Sequence, residues 1–541
     1  MSRKRLFLVF LLLPMTAVCF ADTGGNLFAA EANLVHNVNL GIGYASIQAA
    51  VNDPNTLDGH TILVDEGTYF ENVVINKSIS LTGADRENTR IAGRSGKVTV
   101  WLTANESSLI NFTVMSGIIG IFVDQTNGTL VANNTVTLTE DFAIYARYTR
   151  NCKVQGNVVT LNDESGILVT DSRDFTATSN AVFNNGGYGL NANASSNGLI
   201  SQNLAYSNYF DGIGLSVGTT NCTISKNIVE NNTLRGIWLD YDCTSNTIYQ
   251  NNIVGNIFQA IAVYANLWDN GLEGNFWGNY SGLDANFDGI DDATHEIDVN
   301  NTDRYPLLGR FYSYEAFKGR PVEMVSNASI NDFTFFTHNS TMKIEIDPVE
   351  DQGYDFCRIN IPHKLMIEPY NVAVKNVQSV FINDTLYDDG YSRRIYLSYD
   401  HSADEIVIQG QAPPDTDPPV ISILSPQNAT YHTSSLPLEF VVDDEFSWAG
   451  YSLDTHQNVT VSGNTTLMTL SNGAHVLVLY AKDAAGNTGR SEVAFFVEVP
   501  EERSVTWIIA VAVGVAAICV VLLLYLRKRG RLGKKGGASS S

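Results

Sequence analysis

The chain has few cysteines for its length, and their positions do not indicate a disulfide-linked fold. Six cysteines occur in 541 residues, and Cys19 and Cys519 lie in apolar terminal segments. Cys152 and Cys222 occupy the same position of a repeat described below and are three repeat units apart. At about 4.8 Å per unit they would be separated by roughly 14 Å, whereas a disulfide needs Cα atoms within ~7 Å. We therefore expect no disulfide framework.

Basic residues are also scarce. Lys and Arg number 33 against 57 Asp and Glu, which gives a formal net charge of −24. A surface of this charge repels nucleic acid and anionic membranes, so we expect no nucleic-acid partner. The sequence also lacks a nucleotide-binding glycine loop, a Ser/His/Asp signature and the spacing of zinc ligands. No familiar catalytic motif is therefore present.

Asparagine, in contrast, is abundant and periodic. One column of asparagines recurs every 23 or 24 residues, and an aliphatic residue precedes each later member by three positions. A Gly or Ala followed by an aliphatic residue keeps the same period, from Gly120-Ile121 to Ala260-Ile261. A fixed period of this length predicts a solenoid, because one unit is too short to close its own core. The members of the column are Asn111, Asn134, Asn157, Asn180, Asn203, Asn227, Asn251 and Asn275.

Each repeat unit is predicted to be a coil of short strands. In Gly236–Asp240 apolar and variable residues alternate, as expected for a strand with one buried face. Three such strands per coil, separated by bends rich in Asn, Gly and Ser, predict a parallel β-helix. Each asparagine amide would bond the amides above and below it in a buried ladder. On this interpretation Asn111 is a buried ladder residue, which would not be glycosylated.

The segments around the repeats resemble a known family. Tyr44–Val51 and Gly67–Ile75 resemble the opening of pectin-lyase-like right-handed β-helices. The Gly-Ile and Asn columns, the exit Gly274–Tyr280 and the later Tyr305–Leu307 are similar to the NosD-like β-helix family. The resemblance covers about 40–310 and implies a right-handed parallel β-helix in a modular, archaeal-type cell-surface protein. It does not imply one activity, because this fold hosts lyases, hydrolases, epimerases, adhesins and copper-site maturation proteins.

The resemblance implies that copper binding is one possible activity, but the residues of this sequence do not favour a copper site. Copper sites need clustered His, Met or Cys side chains. The nine histidines are scattered along the chain without a close pair, and the seven methionines are equally dispersed.

Both ends of the chain predict an extracellular protein anchored in a membrane. Arg3-Lys4-Arg5 followed by the apolar run Leu6–Leu13 is typical of a secretory signal peptide, with an N-terminal membrane anchor as the alternative. Ile508–Leu526 is a nearly unbroken apolar run that is long enough to span a bilayer. Because Arg527-Lys528-Arg529 follows, the last residues are predicted to be cytoplasmic and everything earlier extracellular.

The remaining chain is predicted to be all-β. Alternating runs after Phe311 favour a β-sandwich-like domain, and the proline-rich stretch Pro413–Pro419 indicates a stiff boundary. Val420–Pro500 resembles an immunoglobulin-like module without its Cys…Trp…Cys core. The predicted segments are a signal peptide at 1–21, the β-helix at 40–310, a β-sandwich-like domain at 311–412, an immunoglobulin-like domain at 413–500, a transmembrane helix at 505–526 and a basic tail at 527–541.

Many Asn-x-Ser/Thr sequons agree with an extracellular location. Asn-rich turns also create such sequons by chance, so no single one is assigned as glycosylated. Examples are Asn76, Asn193, Asn231, Asn279, Asn327, Asn428 and Asn464.

An acidic loop after the last repeat predicts a calcium site. Its oxygen-bearing side chains alternate along the chain, and a glycine at the sixth position allows the sharp turn of EF-hand-like loops. The twelfth position, where a bidentate acid is expected, is His295, so Asp298 or Asp303 would have to complete the shell. The alternative is a solvated acidic turn. The candidate ligands are Asp284, Asn286, Asp288, Asp292 and the backbone carbonyl of Ile290.

A second candidate site is a patch of acids, a guanidinium and aromatic rings on neighbouring coils. Sugars stack on Trp and Tyr while their hydroxyls bond Asp and Arg, which makes the patch a candidate carbohydrate-binding surface. Glycoside hydrolysis would need two carboxylates, and Asp211 and Asp240, at offset positions on neighbouring coils, are a possible pair. The alternative is an ordinary Asp–Arg pair on a solvated face. The patch comprises Asp211, Arg235, Trp238, Asp240 and Tyr264, with Tyr264 taken as the equivalent of Asp240 one coil later.

The sequence thus favours a membrane-anchored extracellular β-helix protein that binds polysaccharide or adheres through it. A surface-acting polysaccharide lyase or glycoside hydrolase is the alternative, and a structural surface-layer component is a third hypothesis.

Overall fold

The computed structural model describes residues 34–317, 319–347, 354–377, 379–443, 446–499 and 515–527. The predicted signal peptide lies outside the described residues, as do residues 505–514 of the predicted membrane helix and nearly all of the basic tail. The chain divides after Pro413 into two compact units, which are described separately.

The first unit contains a right-handed parallel β-helix of about nine turns, as predicted. Each full coil contributes one short strand to each of three sheets. Sheet 1 consists of Val35–Asn37, Ile42–Tyr44, Thr61–Val64, Ser80–Gly83, Ser108–Ile110, Leu130–Ala132, Lys153–Gln155, Thr176–Thr178, Leu199–Ser201, Thr223–Ser225 and Thr247–Tyr249. Sheet 2 consists of Gly67–Tyr69, Thr89–Ala92, Thr113–Met115, Thr135–Thr137, Val158–Thr160, Ala181–Phe183, Leu204–Tyr206, Ile228–Glu230, Asn252–Val254 and Phe276–Trp277. Sheet 3 consists of Val73–Ile75, Val98–Leu102, Ile119–Asp124, Ile144–Arg147, Ile167–Thr170, Leu190–Asn193, Ile213–Ser216, Arg235–Leu239 and Phe258–Ala262.

A short helix, Ile47–Asn52, lies at the first coils. The side chain of Ser46 accepts a hydrogen bond from the Ala49 amide and caps the helix N-terminus. Ile47, Ala50 and Val51 are buried in the same apolar core as the coils. The helix therefore extends the core at the N-terminal end of the solenoid.

The asparagine column forms the predicted ladder, beginning one coil later than expected. Asn180, in its middle, accepts hydrogen bonds from the backbone amide and side chain of Asn157 at 3.0 Å each. Its own Nδ2 donates to the Val154 carbonyl at 2.9 Å and to Asn203 Oδ1 at 3.0 Å. Every polar atom of such a side chain is satisfied, which is what makes a fully buried amide acceptable.

The assignment of Asn111 to this ladder was wrong. Strand pairing aligns Thr113 with Thr135, so Phe112 and not Asn111 stands at the position of Asn134. Phe112 is fully buried, while Asn111 is half-buried with a positive φ of 63°. The ladder therefore begins at Asn134, which accepts from the Phe112 amide at 3.0 Å.

Two further ladders run along the other bends. Between sheets 2 and 3, buried asparagines five positions after the first column bond one another from Asn162 to Asn256. Between sheets 3 and 1, the hydroxyls of Thr149, Ser172 and Ser195 make equivalent bonds from coil to coil. Three positions later in the coil, Asn246 accepts from the Cys222 amide and donates to Asn266. All three bends of the solenoid are thus held by stacked polar side chains.

The first ladder ends on an acid. Asp303 Oδ2 accepts from the Asn275 amide at 2.7 Å and from Trp277 Nε1 at 2.9 Å. Trp268, which is fully buried, donates in turn to Asn301 at 3.0 Å. Asp303 is itself fully buried, and burial raises its pKa to about 6. Asn301 and Asp303 belong to a small hairpin formed by His295–Asp298 and Asn301–Asp303, and Trp268 and Trp277 bond to it.

The rest of the first unit consists of two antiparallel sheets. One contains Arg310–Phe317, Arg320–Ser326, Asp355–Pro362, Val380–Asp388 and Ser392–Tyr399. The other contains Ser329–Phe336, Thr341–Asp347, Ile367–Val374 and Glu405–Gln411. Their facing residues form a separate apolar core around Ile344, Ile359 and Ile408.

Residues 310–411 are fixed to the coils by polar contacts. The side chain of Asn252 pairs with the backbone of Phe311, accepting from its amide at 2.7 Å and donating to its carbonyl at 2.8 Å. Glu273 Oε1 accepts from Arg358 at 3.0 Å and from Arg394 at 2.8 Å. Because Glu273 and Arg358 are almost completely buried, the two parts of this unit share an interior ion cluster.

The second unit also consists of two sheets. One is formed by Ile421–Ser425, Leu436–Val442 and Thr465–Leu467. The other is formed by Thr430–Tyr431, Phe446–Leu453, Val459–Val461, Gly473–Asp483 and Thr488–Val497. Residues 515–527 are helical. Within the described part of the chain, no helix combines the length and the apolarity needed to cross a bilayer, so the membrane helix at 505–526 stays a prediction.

Candidate functional site

The outer face of sheet 3 carries stacked aromatic side chains. Strand register places Trp101, Phe122 and Tyr145 at the same position of three successive coils. The rings of Trp101 and Phe122 are 5.8 Å apart and those of Phe122 and Tyr145 are 5.1 Å apart, both nearly parallel. The period of the solenoid therefore converts single aromatic residues into a continuous row.

A second aromatic group lies farther along the same face. The rings of Tyr188 and Trp238 are parallel within 5°, with centroids 6.2 Å apart. Register places Gly214 between Asn191 and Trp238 in this row. A Cβ on Gly214 would lie 3.2 Å from Asn191 Oδ1 and 3.7 Å from the Tyr188 ring. The absence of a side chain at this position leaves room for the two rings to approach each other.

Arg235 connects this group to a buried acid. Its Nε and Nη2 donate to the two oxygens of Asp211 at 2.8 and 2.9 Å, and its Cζ lies 3.9 Å from the Trp238 ring centroid. Burial raises the pKa of Asp211, although the hydrogen bonds from Arg235 oppose that shift. The carboxylate thus holds the guanidinium over the indole ring, a cation–π arrangement.

Two members of the predicted patch lie elsewhere than expected. Asp211 is fully buried beneath Arg235 and cannot touch a ligand, so it orients the arginine instead. Leu239 pairs with Ala262, so the equivalent of Asp240 is Val263, and Tyr264 lies one residue beyond it. Tyr264 was misplaced because the last step between coils on sheet 3 is 23 residues, whereas the sequence interpretation used 24. Asp240 itself is half-buried, on the same strand end as Trp238.

Sequence reasoning missed a second arginine–acid pair on this face. Arg147 Nε donates to Asp124 Oδ1 at 3.1 Å, and the Arg147 Cζ lies 5.1 Å from the Phe122 ring. The two residues are partners in adjacent strands, 23 positions apart. The same combination of acid, arginine and ring therefore occurs twice on sheet 3, and the 23-residue spacing of Asp124 and Arg147 was a usable signal.

The predicted calcium loop is compact, but it supplies only some of the ligands that a calcium ion needs. The carboxylate of Asp284 accepts from the amides of Asp288 and Gly289 at 2.9 Å each. Asp288 accepts from the Ile290 amide at 2.8 Å and from the Asn286 side chain at 3.0 Å. Burial raises the pKa of Asp284 above its ordinary value, a shift that a bound cation would reverse.

The residues expected to complete the shell are engaged elsewhere. His295 is packed against the rings of Trp277 and Tyr280 at 4.7 Å each, and burial lowers its pKa. Asp298 accepts from the Asn301 side chain, and Asp303 ends the ladder. Asp292 accepts from the Ala285 amide at 2.8 Å. Calcium binding therefore stays a prediction, with fewer donors than an EF-hand provides.

Within the described residues, no group of three or more His, Cys, Asp or Glu side chains is placed to hold a metal ion. Of the described cysteines, Cys152, Cys222, Cys243 and Cys357 are buried and free. Among the described residues, therefore, no cluster of three His and Cys side chains of the kind that copper sites use is present.

Comparison with known families agrees with the coil architecture. Residues 53–282 match the family model described as "Periplasmic copper-binding protein (NosD)". The NosD-like resemblance of the coils is confirmed. The copper in that description has no ligand set among the described residues.

Two curated relatives match short parts of the chain, and one of them is named as a cell surface protein. The cell surface glycoprotein of Methanothermus fervidus is 35% identical over 107 residues, which is 20% of this chain and 18% of that protein. Halomucin of Haloquadratum walsbyi is 33% identical over 97 residues, which is 16% of this chain and 1% of that protein. The chain therefore spans less than a fifth of the length of either relative.

Solved structures with similar coils include enzymes. The mannuronan C-5 epimerase AlgE6 A-module of Azotobacter vinelandii shares 18% identity with a TM-score of 0.34, covering 40% of this chain and 73% of that one. Pectate lyase Pel9A shares 15% identity with a TM-score of 0.34, covering 42% of this chain and 76% of that one. Similarity at this level concerns the fold and not the chemistry.

Proposed function

We propose that this protein binds glycans at the cell surface through the outer face of sheet 3. The similarity to a cell surface glycoprotein supports the location. The predicted signal peptide and C-terminal membrane helix support a single-pass anchor with the β-helix outside the cell. The ligand class follows from the side chains of the face itself.

The proposal rests mainly on Trp238 and on Arg235, which Asp211 holds over the Trp238 ring. An arginine held over an indole by a buried acid presents donors beside an aromatic plane. Sugar rings stack their C–H faces on such planes while their hydroxyls accept from arginine. Arg147 lies several coils away beside the partly exposed rings of Trp101 and Tyr145, which flank the buried Phe122, and this spread suits a ligand longer than one sugar.

Catalysis is less well supported than binding. Hydrolysis of a glycoside needs two carboxyl groups that flank the scissile bond. Asp211 is buried and paired with Arg235, so only Asp240 of the predicted pair is near the surface. A lyase or hydrolase would be indicated by release of unsaturated or reducing ends, and a surface-layer component by lattice formation without glycan binding.

The test compares two aromatic substitutions in the full-length chain. A glycan array identifies the best ligand, and isothermal titration then measures its affinity for wild type, Trp238→Ala and Tyr206→Ala. Tyr206 is the matched control because it stacks on Phe183 at 4.7 Å on sheet 2 of the same solenoid. We expect Trp238→Ala to weaken binding about tenfold or more and Tyr206→Ala to leave it unchanged. Equal affinities for all three proteins would contradict the proposal.

A calcium ion in the loop 284–292 is the second part of the proposal. Its role would be structural, because the loop joins the end of the coils to the following sheets. Gly289 lies against the side chains of Phe356 and Arg358, with a positive φ of 75°. Phe287 packs on Phe381 with ring centroids 5.0 Å apart. A cation that stiffens the loop would therefore stabilise the junction.

A further inference from the structure

The two aromatic groups of sheet 3 belong to a single row of outward residues that runs along the axis of the solenoid. Six coil steps of about 4.8 Å separate its two tryptophans, which places them roughly 29 Å apart. Trp101, Tyr145 and Trp238 are partly exposed, whereas Phe122 is buried between the first two. The two groups are therefore the ends of one row and not unrelated sites. In order, the row consists of Trp101, Phe122, Tyr145, Leu168, Asn191, Gly214 and Trp238.

Between its aromatic ends the row carries no charged side chain. Leu168 is half-buried, and Asn191 is buried with its Oδ1 accepting from Ser216 Oγ at 3.3 Å. Gly214 has no side chain, and the Tyr188 ring lies beside it, 3.7 Å from where a Cβ would stand. A ligand that lies along the row can therefore contact both aromatic ends without crossing a charged group.

The charges of sheet 3 favour a neutral ligand. Arg147 and Arg235 are the only basic residues in the strands of this sheet. Arg147 pairs with Asp124, and Arg235 pairs with the fully buried Asp211. The strand of Arg235 is followed by a further acid, Asp240. An anionic ligand would therefore be desolvated here without gaining an uncompensated cation as its partner.

The length and direction of the row also select among neutral polysaccharides. A β-1,4-linked chain of pyranose rings is extended and advances by about one coil rise per ring, so successive rings stay above the row. An α-1,4-linked glucan curves into a helix and would leave the row after a few rings. A straight row with aromatic rings at both ends therefore fits the extended chain, whose C–H faces stack on those rings.

We propose that sheet 3 binds a neutral, β-1,4-linked polysaccharide that lies along the solenoid axis with about one sugar ring per coil. The chain stacks on Trp238 at one end and on Trp101 and Tyr145 at the other, while Arg147 and Arg235 donate to its hydroxyls. This inference rests on the proposed function and adds the class, direction and length of the ligand. A chain that reaches both ends has about seven rings, and two contacts in one ligand raise its affinity through effective concentration.

The experiment is isothermal titration of the full-length chain with matched oligosaccharides. The neutral probes are the tri- and octasaccharides of β-1,4-mannan and of β-1,4-xylan. The octasaccharide of β-1,4-mannuronan keeps the mannan linkage but carries a carboxylate on each ring, and malto-octaose is the neutral α-1,4-linked control. We expect a neutral β-1,4-linked octasaccharide to bind about tenfold or more tightly than its trisaccharide and than both controls.

Three results would overturn the inference. One is equal affinity for the tri- and octasaccharides of the neutral β-1,4-linked chains. Another is tighter binding of the mannuronan octasaccharide or of malto-octaose than of either neutral β-1,4-linked octasaccharide. The third is no binding of either neutral β-1,4-linked octasaccharide.

Variants at the two ends test whether one ligand spans the row. Trp101→Ala and Trp238→Ala should each weaken octasaccharide binding about tenfold but trisaccharide binding only about twofold, because either end alone still holds a short ligand. Tyr145→Ala is a second variant at the Trp101 end, and a melting curve for each variant shows that it is folded. Tyr206→Ala, in the stacked pair on sheet 2, is the matched control and should change neither affinity.

The outcomes separate this inference from the proposed function. A loss that is largest for the octasaccharide in both end variants supports the spanning ligand. If Trp238→Ala abolishes binding of both lengths while Trp101→Ala and Tyr145→Ala change neither, the spanning ligand is overturned and glycan binding by sheet 3 stands. If no end variant changes the affinity for any glycan that binds, the proposed function falls as well.

Discussion

Sheets 2 and 3 of the β-helix are made by the same coils but have different surroundings. On sheet 2, Glu230 pairs with Arg310, and Asn252 bonds the backbone of Phe311, so residues 310–411 are fixed to its C-terminal part. On sheet 3 the outward positions hold rings stacked on one another, such as Phe122 and Tyr145. The repeat therefore supplies identical backbones, and the outward residues decide whether a face packs against protein or is left for a ligand.

The comparison teaches where function is encoded in such a solenoid. Inward positions are mostly aliphatic or belong to the polar ladders, with exceptions such as Phe112 and Phe175, so they specify the fold and little else. The outward positions of sheet 3 vary between coils, for example from Asn191 to Gly214 to Trp238. A functional hypothesis must therefore be read from outward residues in register, and an error of one position is enough to misplace a side chain.

The largest expected effect is at the junction that covers sheet 2. Burial alone would raise the pKa of Glu273, but Arg358 and Arg394 hold it below its ordinary value. Glu273→Gln removes the charge that both guanidiniums share, which should lower the free energy of unfolding by about 3–5 kcal/mol. Chemical denaturation followed by tryptophan fluorescence measures the change. Glu296→Gln, at an exposed position, is the control, and an equal effect of the two variants would refute the role of the cluster.

The second-largest effect is expected in the asparagine ladder of the coils that form both faces. Asn180→Ala deletes an acceptor of two hydrogen bonds and a donor of two more. The amide of Asn157 is then left buried without a partner, so we expect a loss of about 3 kcal/mol in the free energy of unfolding. Asn88→Ala, at an exposed turn, should change it by less than about 0.5 kcal/mol. Two variants of equal stability would show that the ladder is not needed.

The acid at the end of the ladder predicts a pH dependence. Because burial raises the pKa of Asp303 to about 6, its contribution is fully present below the unfolded value of about 3.9 and is lost as pH rises through about 6. At pH 7 the ionised side chain should cost about 3 kcal/mol relative to the unfolded chain. The stability of Asp303→Asn relative to wild type should therefore improve between pH 4 and pH 7, although the variant loses an acceptor for the amide or indole donors around Asp303 at both pH values. Denaturation at both pH values checks this, and a variant that is equally destabilised at both would contradict it.

The smallest effect concerns the calcium loop. Millimolar Ca²⁺ should raise the melting temperature of wild type by a few degrees, because a ligand that binds only the folded state stabilises it. Asp284→Asn should abolish that increase. Mg²⁺ at the same concentration is the control, since it prefers a smaller octahedral site. Identical melting curves with and without Ca²⁺ would count against the site.

Much of the fold could be predicted from the sequence because the period is nearly constant. The asparagine column from Asn134 to Asn275 aligns coil with coil without any knowledge of tertiary contacts. The second ladder, from Asn162 to Asn256, follows the first by five positions and was equally visible. The misassignments occurred where the step changes, at Phe112 and at Tyr264.

Other features could not be predicted because they depend on contacts between distant segments. The sharing of Glu273 by Arg358 and Arg394 joins residues that are separated by 85 or more positions without any period. The burial of Asp211 depends on Arg235 folding over it, and an alternating pattern alone does not show which outward side chain covers another.

The most direct test is hydroxyl-radical footprinting of the full-length chain with and without its best glycan ligand. The account predicts protection of Tyr188 and Trp238 on sheet 3, while Phe183 and Tyr206 on sheet 2 keep the same rate of modification. Protection confined to Phe183 and Tyr206, or to residues 421–497, would contradict the assignment of the binding face.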